Sequence, residues 1–339
     1  MQNAVMKKKG SVGQKSKGLL LLDWAAVIAL VVSFAVFAIF APNFLNSVNM
    51  INILRAMSIT TVFGIAATVT MSTDGFDMSS CTLATVSAYT FMSMYLWYGL
   101  SLWMSILVTI GVTLVLYQLT MFLILVCKVP DMLATCALQF VHQGIGLWYI
   151  GGGAVSTGML PNRLKATLGQ PARTLLGDDF KAIGLQPAII IGVMLACVLV
   201  AYIFLEHTKH GRFMYAIGGN KQAAKLSGIN VKGYRYLAGM ITALFVVVGA
   251  VLVACRQSAA SVNCCDNYFM LSLAAVFVGR SVGGAEKPNA LGTLIGALLV
   301  AVLENGLNIM GVNFYFLPAV KGIVMLLALV AAYATKREN

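Results

Sequence analysis

Long apolar runs recur along nearly the whole chain, beginning with LLLLDWAAVIALVVSFAVFAIFA at 19–41. In lipid every backbone N–H and C=O must be paired within the protein, so such runs become helices. About 20 mostly apolar residues suffice to cross a bilayer. Ten segments qualify, at roughly 19–41, 53–72, 78–97, 101–126, 132–150, 187–205, 236–254, 268–285, 290–311 and 314–334. The second, third and eighth carry Gly, Ser, Thr or Asp and read as candidates for broken or re-entrant helices. The expected fold is therefore an all-α polytopic membrane protein with eight to ten spans. Composition agrees: only 10% of residues are charged, against about 25% in soluble domains. At 339 residues the chain reads as one unit, a basic tail (1–18) followed by a single transmembrane domain (19–335).

Basic residues set the expected orientation, because loops rich in Lys and Arg stay in the cytoplasm. Lys7, Lys8, Lys9, Lys15 and Lys17 lie in the tail, and Lys336 and Arg337 near the end. Ten spans put these on one side with Lys128, Lys209, Arg212, Lys221, Lys225, Lys232, Arg235, Arg280 and Lys287. The other side keeps Arg55, Arg163, Lys165, Arg173, Lys181 and Arg256, while Lys321 falls inside the last span. Both termini and the loop 206–235 are expected to be cytoplasmic, and the loop 151–186 extracytoplasmic. The net charge of +12 is then a topology signal with attraction to anionic headgroups, not a sign of nucleic-acid binding. Pro42 follows Ala41 where a peptidase would have to cut, so the first run is expected to stay as an anchor.

No catalytic constellation emerges from the three histidines. His207 and His210 form an H-x-x-H at a membrane boundary without the glutamate of a helical zinc protease. The tail GSVGQKSKG lacks the spacing of a P-loop, and GGGAVSTG (151–158) follows a span as a loop. The seven cysteines show no metal-ligand spacing and read as small apolar fillers, with a bridge from Cys255 to Cys264 or Cys265 left open. No cofactor is expected on this chain.

One polar stretch stands out, GRFMYAIGGNKQAAKLSGINV at 211–231. After Gly218 and Gly219, Asn220 offers a side-chain acceptor to the first free N–H groups of a helix. Lys221, Gln222, Ala223, Ala224 and Leu226 are fair helix formers, and Gly228 suits the left-handed position beyond a C-terminus. The pattern predicts a helix of about two turns, too short to be stable alone. A solvated basic loop is the competing reading. A phosphate cradle fits less well, since these glycines follow a membrane helix and an Arg-Phe-Met-Tyr turn instead of a strand.

This stretch resembles the membrane-spanning permeases of bacterial ABC importers for simple sugars, the ribose-type group. Their signature is a Gly-Arg-x-x-Tyr-Ala-x-Gly-Gly-Asn opening, then Ala-Ala and Ser-Gly-Ile-Asn-Val. The resemblance continues through LGTLIGALLVAVLENGLNIMGVN (291–313), VKGIVMLLAL (320–329), APNFLNSVNMINILR (41–55) and VPDMLATCALQF (129–140). Where the family usually shows Gly-Gly-Ile-Asp-Leu-Ser, this chain reads TDGFDMSS (73–80), in which Asp77 and Ser79 match. The resemblance implies an extracytoplasmic solute-binding protein, a pair of permeases and separate ATPases that bind Mg-ATP. It also implies that Asn220–Gly228 is the coupling helix that docks on the ATPase.

Charges at membrane depth cost about 2.5–3.5 kcal/mol on insertion scales. Asp77 is placed to cap the third span, to serve a transport gate, or both. Glu304, Asn305 and Asn308 fall in the ninth span, with 304 and 308 on one face. Interhelical bonding and lining of a sugar path both suit them, and Ser79 and Ser87 are further hydroxyl candidates. Trp97, Trp103 and Trp148 near span ends read as interfacial anchors. Two other classes stay in play: a self-sufficient secondary transporter or channel, and a membrane-embedded enzyme. A nucleoside or a furanosyl signalling molecule is an alternative cargo to a sugar.

Overall fold

The computed structural model describes residues 24–161, 167–168, 170–282, 287–311, 316, 319, 322 and 323. The basic tail, Arg163, Lys165, Lys321 and nearly all of the tenth expected span lie outside them. Among the described residues the architecture is all-α, with one isolated antiparallel bridge between Val155 and Ala260. The long helices are α1 (Ala25–Phe40), α2 (Ser47–Met71), α3 (Ser80–Leu96), α4 (Leu102–Leu125) and α5 (Asp131–Ile150). A short α6 (Asp178–Leu185) leads into α7 (Pro187–Tyr202), which runs on as a π-helical turn, Ile203–His207. Then come α8 (Lys209–Gly219), α9 (Lys221–Leu226), α10 (Val231–Gln257), α11 (Tyr268–Gly279) and α12 (Ala290–Ile309).

Side-chain caps explain several of the starts. Asn46 accepts from the Val48 amide, so α2 begins six residues before the expected 53. Ser101 caps α4 and Asn289 caps α12 in the same way. Thr208 accepts from the Gly211 amide, and Met214 and Ile217 bury one side of the following turns. The expected Arg-Phe-Met-Tyr turn is therefore part of helix α8, since a good cap and a buried stripe outweigh its glycines. Among the described residues, five elements are long and apolar enough to cross a membrane: α2, α4, α7 with its π turn, α10 and α12. α3 has 17 residues, and α5 carries Gln139, His142 and Gln143. α11 has only 12 residues, against 18 expected for the eighth span.

Packing sorts the helices into an inner and an outer set. The apolar windows of α2 and α10 are 61% and 72% buried, whereas that of α4 is 28%. Lipid tails are as apolar as Leu, so close packing and polar contacts hold membrane helices together. Here Thr68 meets Thr293 at 2.6 Å, Thr70 meets Thr242 at 2.7 Å and Ser87 meets Thr113 at 2.7 Å. These pairs join α2 to α12, α2 to α10 and α3 to α4. Ser87, a candidate path hydroxyl, is spent on this stitching. α11 and α12 come together backbone to backbone, where a Cβ on Gly296 would sit 2.0 Å from the Ala275 carbonyl.

Loop contacts segregate to two ends. At one, which we call the basic end, Arg235 pairs with Asp131 and Lys287 with Glu206. At the other, the loop after α5 folds over α3: Arg173 N–H donates to the Leu96 carbonyl and Trp97 Nε1 to Met159 O at 2.8 Å. Trp97 is only 1% exposed. It clamps the opposite loop and is not the lipid anchor expected from its place at a span end. Trp103 and Trp148 are each 72% exposed. All seven cysteines are free thiols, so Cys255 is not bridged to Cys264 or Cys265.

Candidate functional site

Two short helices at the basic end, α8 and α9, carry the polar stretch. Asn220 Oδ1 accepts from the amides of Gln222 (3.0 Å) and Ala223 (2.9 Å), and Gly228 takes φ +80° just past the C-terminus of α9. Lys221, Gln222, Ala223, Lys225 and Leu226 are exposed, and Leu226 keeps 89% of its surface open. Ala224 alone faces inward, 4% exposed. α9 therefore presents one leucine and one alanine among lysines, standing clear of its own chain.

The base of that projection is tied to the membrane helices. Gly218 approaches the loop after α2 so closely that a Cβ would lie 2.5 Å from the Ser72 carbonyl, whereas Gly219 faces open space. On the π turn, Glu206 Oε2 holds Lys287 Nζ at 3.1 Å while Oε1 lies 3.1 Å from the Tyr215 hydroxyl. Lys287 also stands 4.0 Å over the Tyr215 ring. Burial, together with the Glu206 carboxylate, pushes the Tyr215 phenol well above its ordinary pKa. Its hydroxyl is 2.9 Å from the Pro288 carbonyl as well. This cluster links α7 and α8 to the segment that opens α12.

Asp77 lies in the break between α2 and α3. Its Oδ1 accepts from the amide and hydroxyl of Ser79, both at 2.8 Å, and its Oδ2 from the Tyr117 hydroxyl at 2.9 Å. The carboxylate thus closes the start of α3 and anchors it to α4. Beside it is a cavity of about 20 Å3 bounded by Thr70, Asp77, Tyr117 and Thr120, room for one water. Ser79 is fully buried.

The candidates on α12 sit at the other end of the molecule, so the structure does not bring them together with Asp77 and Ser79. Asn305 forms a reciprocal amide pair with Asn49 of α2, at 2.9 and 2.8 Å. Glu304 is half-buried and Asn308 exposed.

A second break escaped the sequence reading. Between α10 and α11 the chain makes tight turns from Ser261 to Phe269, with Asn263 at φ +57°. Asp266 Oδ1 accepts from Thr85 Oγ1 at 3.0 Å, and Asn263 Oδ1 from Gln143 Nε2 at 3.3 Å. The only cue was the polar run NCCDN ahead of an apolar segment flagged as breakable.

Comparison with known proteins extends this picture. The chain is 29% identical over 319 residues to the ribose import permease protein RbsC of Escherichia coli (strain K12), covering 91% of this chain and 92% of that one. It is 34% identical over 205 residues to RbsC of Bacillus subtilis (strain 168), 59% of each chain. The xylose transport system permease protein XylH of Escherichia coli (strain K12) is 32% identical over 148 residues, 43% of this chain and 38% of that one. No solved structure matches. The family model described as branched-chain amino acid transport system / permease component matches residues 49–333. That span takes in both breaks and the α8–α9 projection, and the chain belongs to this permease family.

Proposed function

We propose that this chain is the membrane-spanning permease subunit of a binding-protein-dependent ABC importer. It forms the path for a monosaccharide, ribose-like, or a related small polar solute. The observation that carries the reading is α9, a helix of six residues capped at both ends, braced through Gly218 and turned outward with Leu226 bare. Helices this short need a partner to be stable. An ATPase groove is the partner that suits a protruding helix on the basic side. Similarity to permeases named for ribose and xylose supports the cargo class. The excess of Lys and Arg at that end supports a cytoplasmic placement of α9 and both termini. ATP and Mg2+ then bind on the partner ATPases. A second permease subunit and an extracytoplasmic solute-binding protein complete the assembly.

Co-expression with the ATPase tests this directly. Ala223→Glu, and Gly228→Pro at a φ that proline cannot adopt, should abolish capture of the ATPase and solute uptake while membrane insertion persists. Retained capture and normal uptake in both variants would refute the docking role of α9. The purified chain alone should hydrolyse no ATP. Uptake driven by an ion gradient in cells lacking the ATPase would favour a secondary transporter instead.

A further inference from the structure

We infer that the turn Ser261–Asn267 lines the transport path at membrane depth and meets the hydroxyl groups of the passing solute. For its cargo this rests on the permease reading, but its exposure to water does not. Depth comes from two neighbours. Gln143, which binds Asn263, lies 12 residues past Asp131 on α5, about 18 Å from the basic end at 1.5 Å per residue. Phe63, whose ring is 5.5 Å from that of Tyr268, lies 16 residues into α2, about 24 Å from the opposite end. The turn thus leads from Ala260, bridged to Val155 of the loop after α5, down into the membrane thickness, where α11 starts.

Non-helical backbone at that depth is tolerated only inside protein or beside a water-filled cavity. Of this turn the chain itself buries only Cys264 and Cys265. Ser261 and Asn267 are exposed, Val262 is 41% exposed, and Asn263 and Asp266 are half-buried. Asp266 forms no ion pair among the described residues, and its Oδ2 makes no hydrogen bond there. An unneutralised carboxylate and a bare amide facing hydrocarbon would be costly. The free Asp266 oxygen and the Asn267 amide suit instead a neutral polyhydroxylated molecule, which donates and accepts along its whole edge.

Accessibility decides the matter. In full-length chain with Cys127→Ser and Cys136→Ser, we would place one new thiol by Asn267→Cys or, as a lipid-facing control, by Leu119→Cys. Cells are treated with a charged, membrane-impermeant methanethiosulfonate. Asn267→Cys should react at least about tenfold faster than Leu119→Cys, since only a thiol in water ionises readily. Equal, slow reaction would overturn the inference, whatever the ATPase experiment shows. With ribose as probe, Asp266→Asn and Asn267→Ala should lower the maximal uptake rate at least about fivefold while the half-saturating concentration stays put. Both variants should still capture the ATPase. Unchanged uptake in both would remove the solute contact and leave a merely hydrated turn. Failure of the parent chain to take up ribose would count against the cargo in the proposed function and leave the accessibility result standing.

Discussion

Two helices of this protein, α3 and α11, each begin just after an aspartate, and they use that aspartate differently. Before α3, Asp77 spends both oxygens on its own chain, closing the helix start through Ser79 and reaching α4 through Tyr117. Before α11, Asp266 gives one oxygen to Thr85, and the neighbouring Asn267 stays exposed. The same residue type at the same kind of break is a structural rivet in one place and an open acceptor in the other. What separates them is satisfaction: a buried polar group with every partner in place stabilises, and one with a free edge is available to a ligand.

Stability measurements on the detergent-purified chain would test that contrast, beginning with Asp77→Ala. It strands the Tyr117 hydroxyl and the Ser79 amide, and should cost about 2–4 kcal/mol of folding stability, seen as a markedly lower thermal midpoint. A midpoint equal to that of the parent would show that Asp77 is no rivet. Tyr117→Phe removes one of the three bonds and should cost about 1 kcal/mol. Asp266→Ala should cost less than about 1 kcal/mol and yet depress uptake. A loss matching that of Asp77→Ala would erase the distinction between the breaks. The smallest expected effect is at Glu206→Gln, whose partly exposed pair with Lys287 contributes under about 1 kcal/mol. Its signature should be a weaker response of ATP hydrolysis to solute, measured on the assembled complex, with the thermal midpoint unchanged.

Local chemistry made one of these regions readable and hid the other. Asn220 and Gly228 declare both ends of α9 because capping depends on residues within one turn. Asp77 was legible for the same reason, two residues from the amide it binds. The long apolar runs placed nine helices to within a few residues in most cases, five of them long and apolar enough to cross a membrane. The dip of Asn263–Asn267 was not legible, because it depends on Thr85 and Gln143, more than 100 residues away in sequence. The Asn49–Asn305 pair is hidden in the same way, since nothing in either neighbourhood names the other amide. Trp97 was misjudged because a tryptophan at a span end looks alike whether lipid or a folded loop covers it. Ala224 reads in the sequence only as a helix former, and nothing local shows that it packs inward.

The shortness of α11 has a mechanical consequence. Its 12 residues rise about 18 Å, whereas the hydrocarbon layer is about 30 Å thick. If the path runs beside this half-helix as inferred, it would be closed over about 18 Å instead of the full hydrocarbon thickness. A short closure of that kind would need a shorter stroke to open than a helix spanning the whole layer.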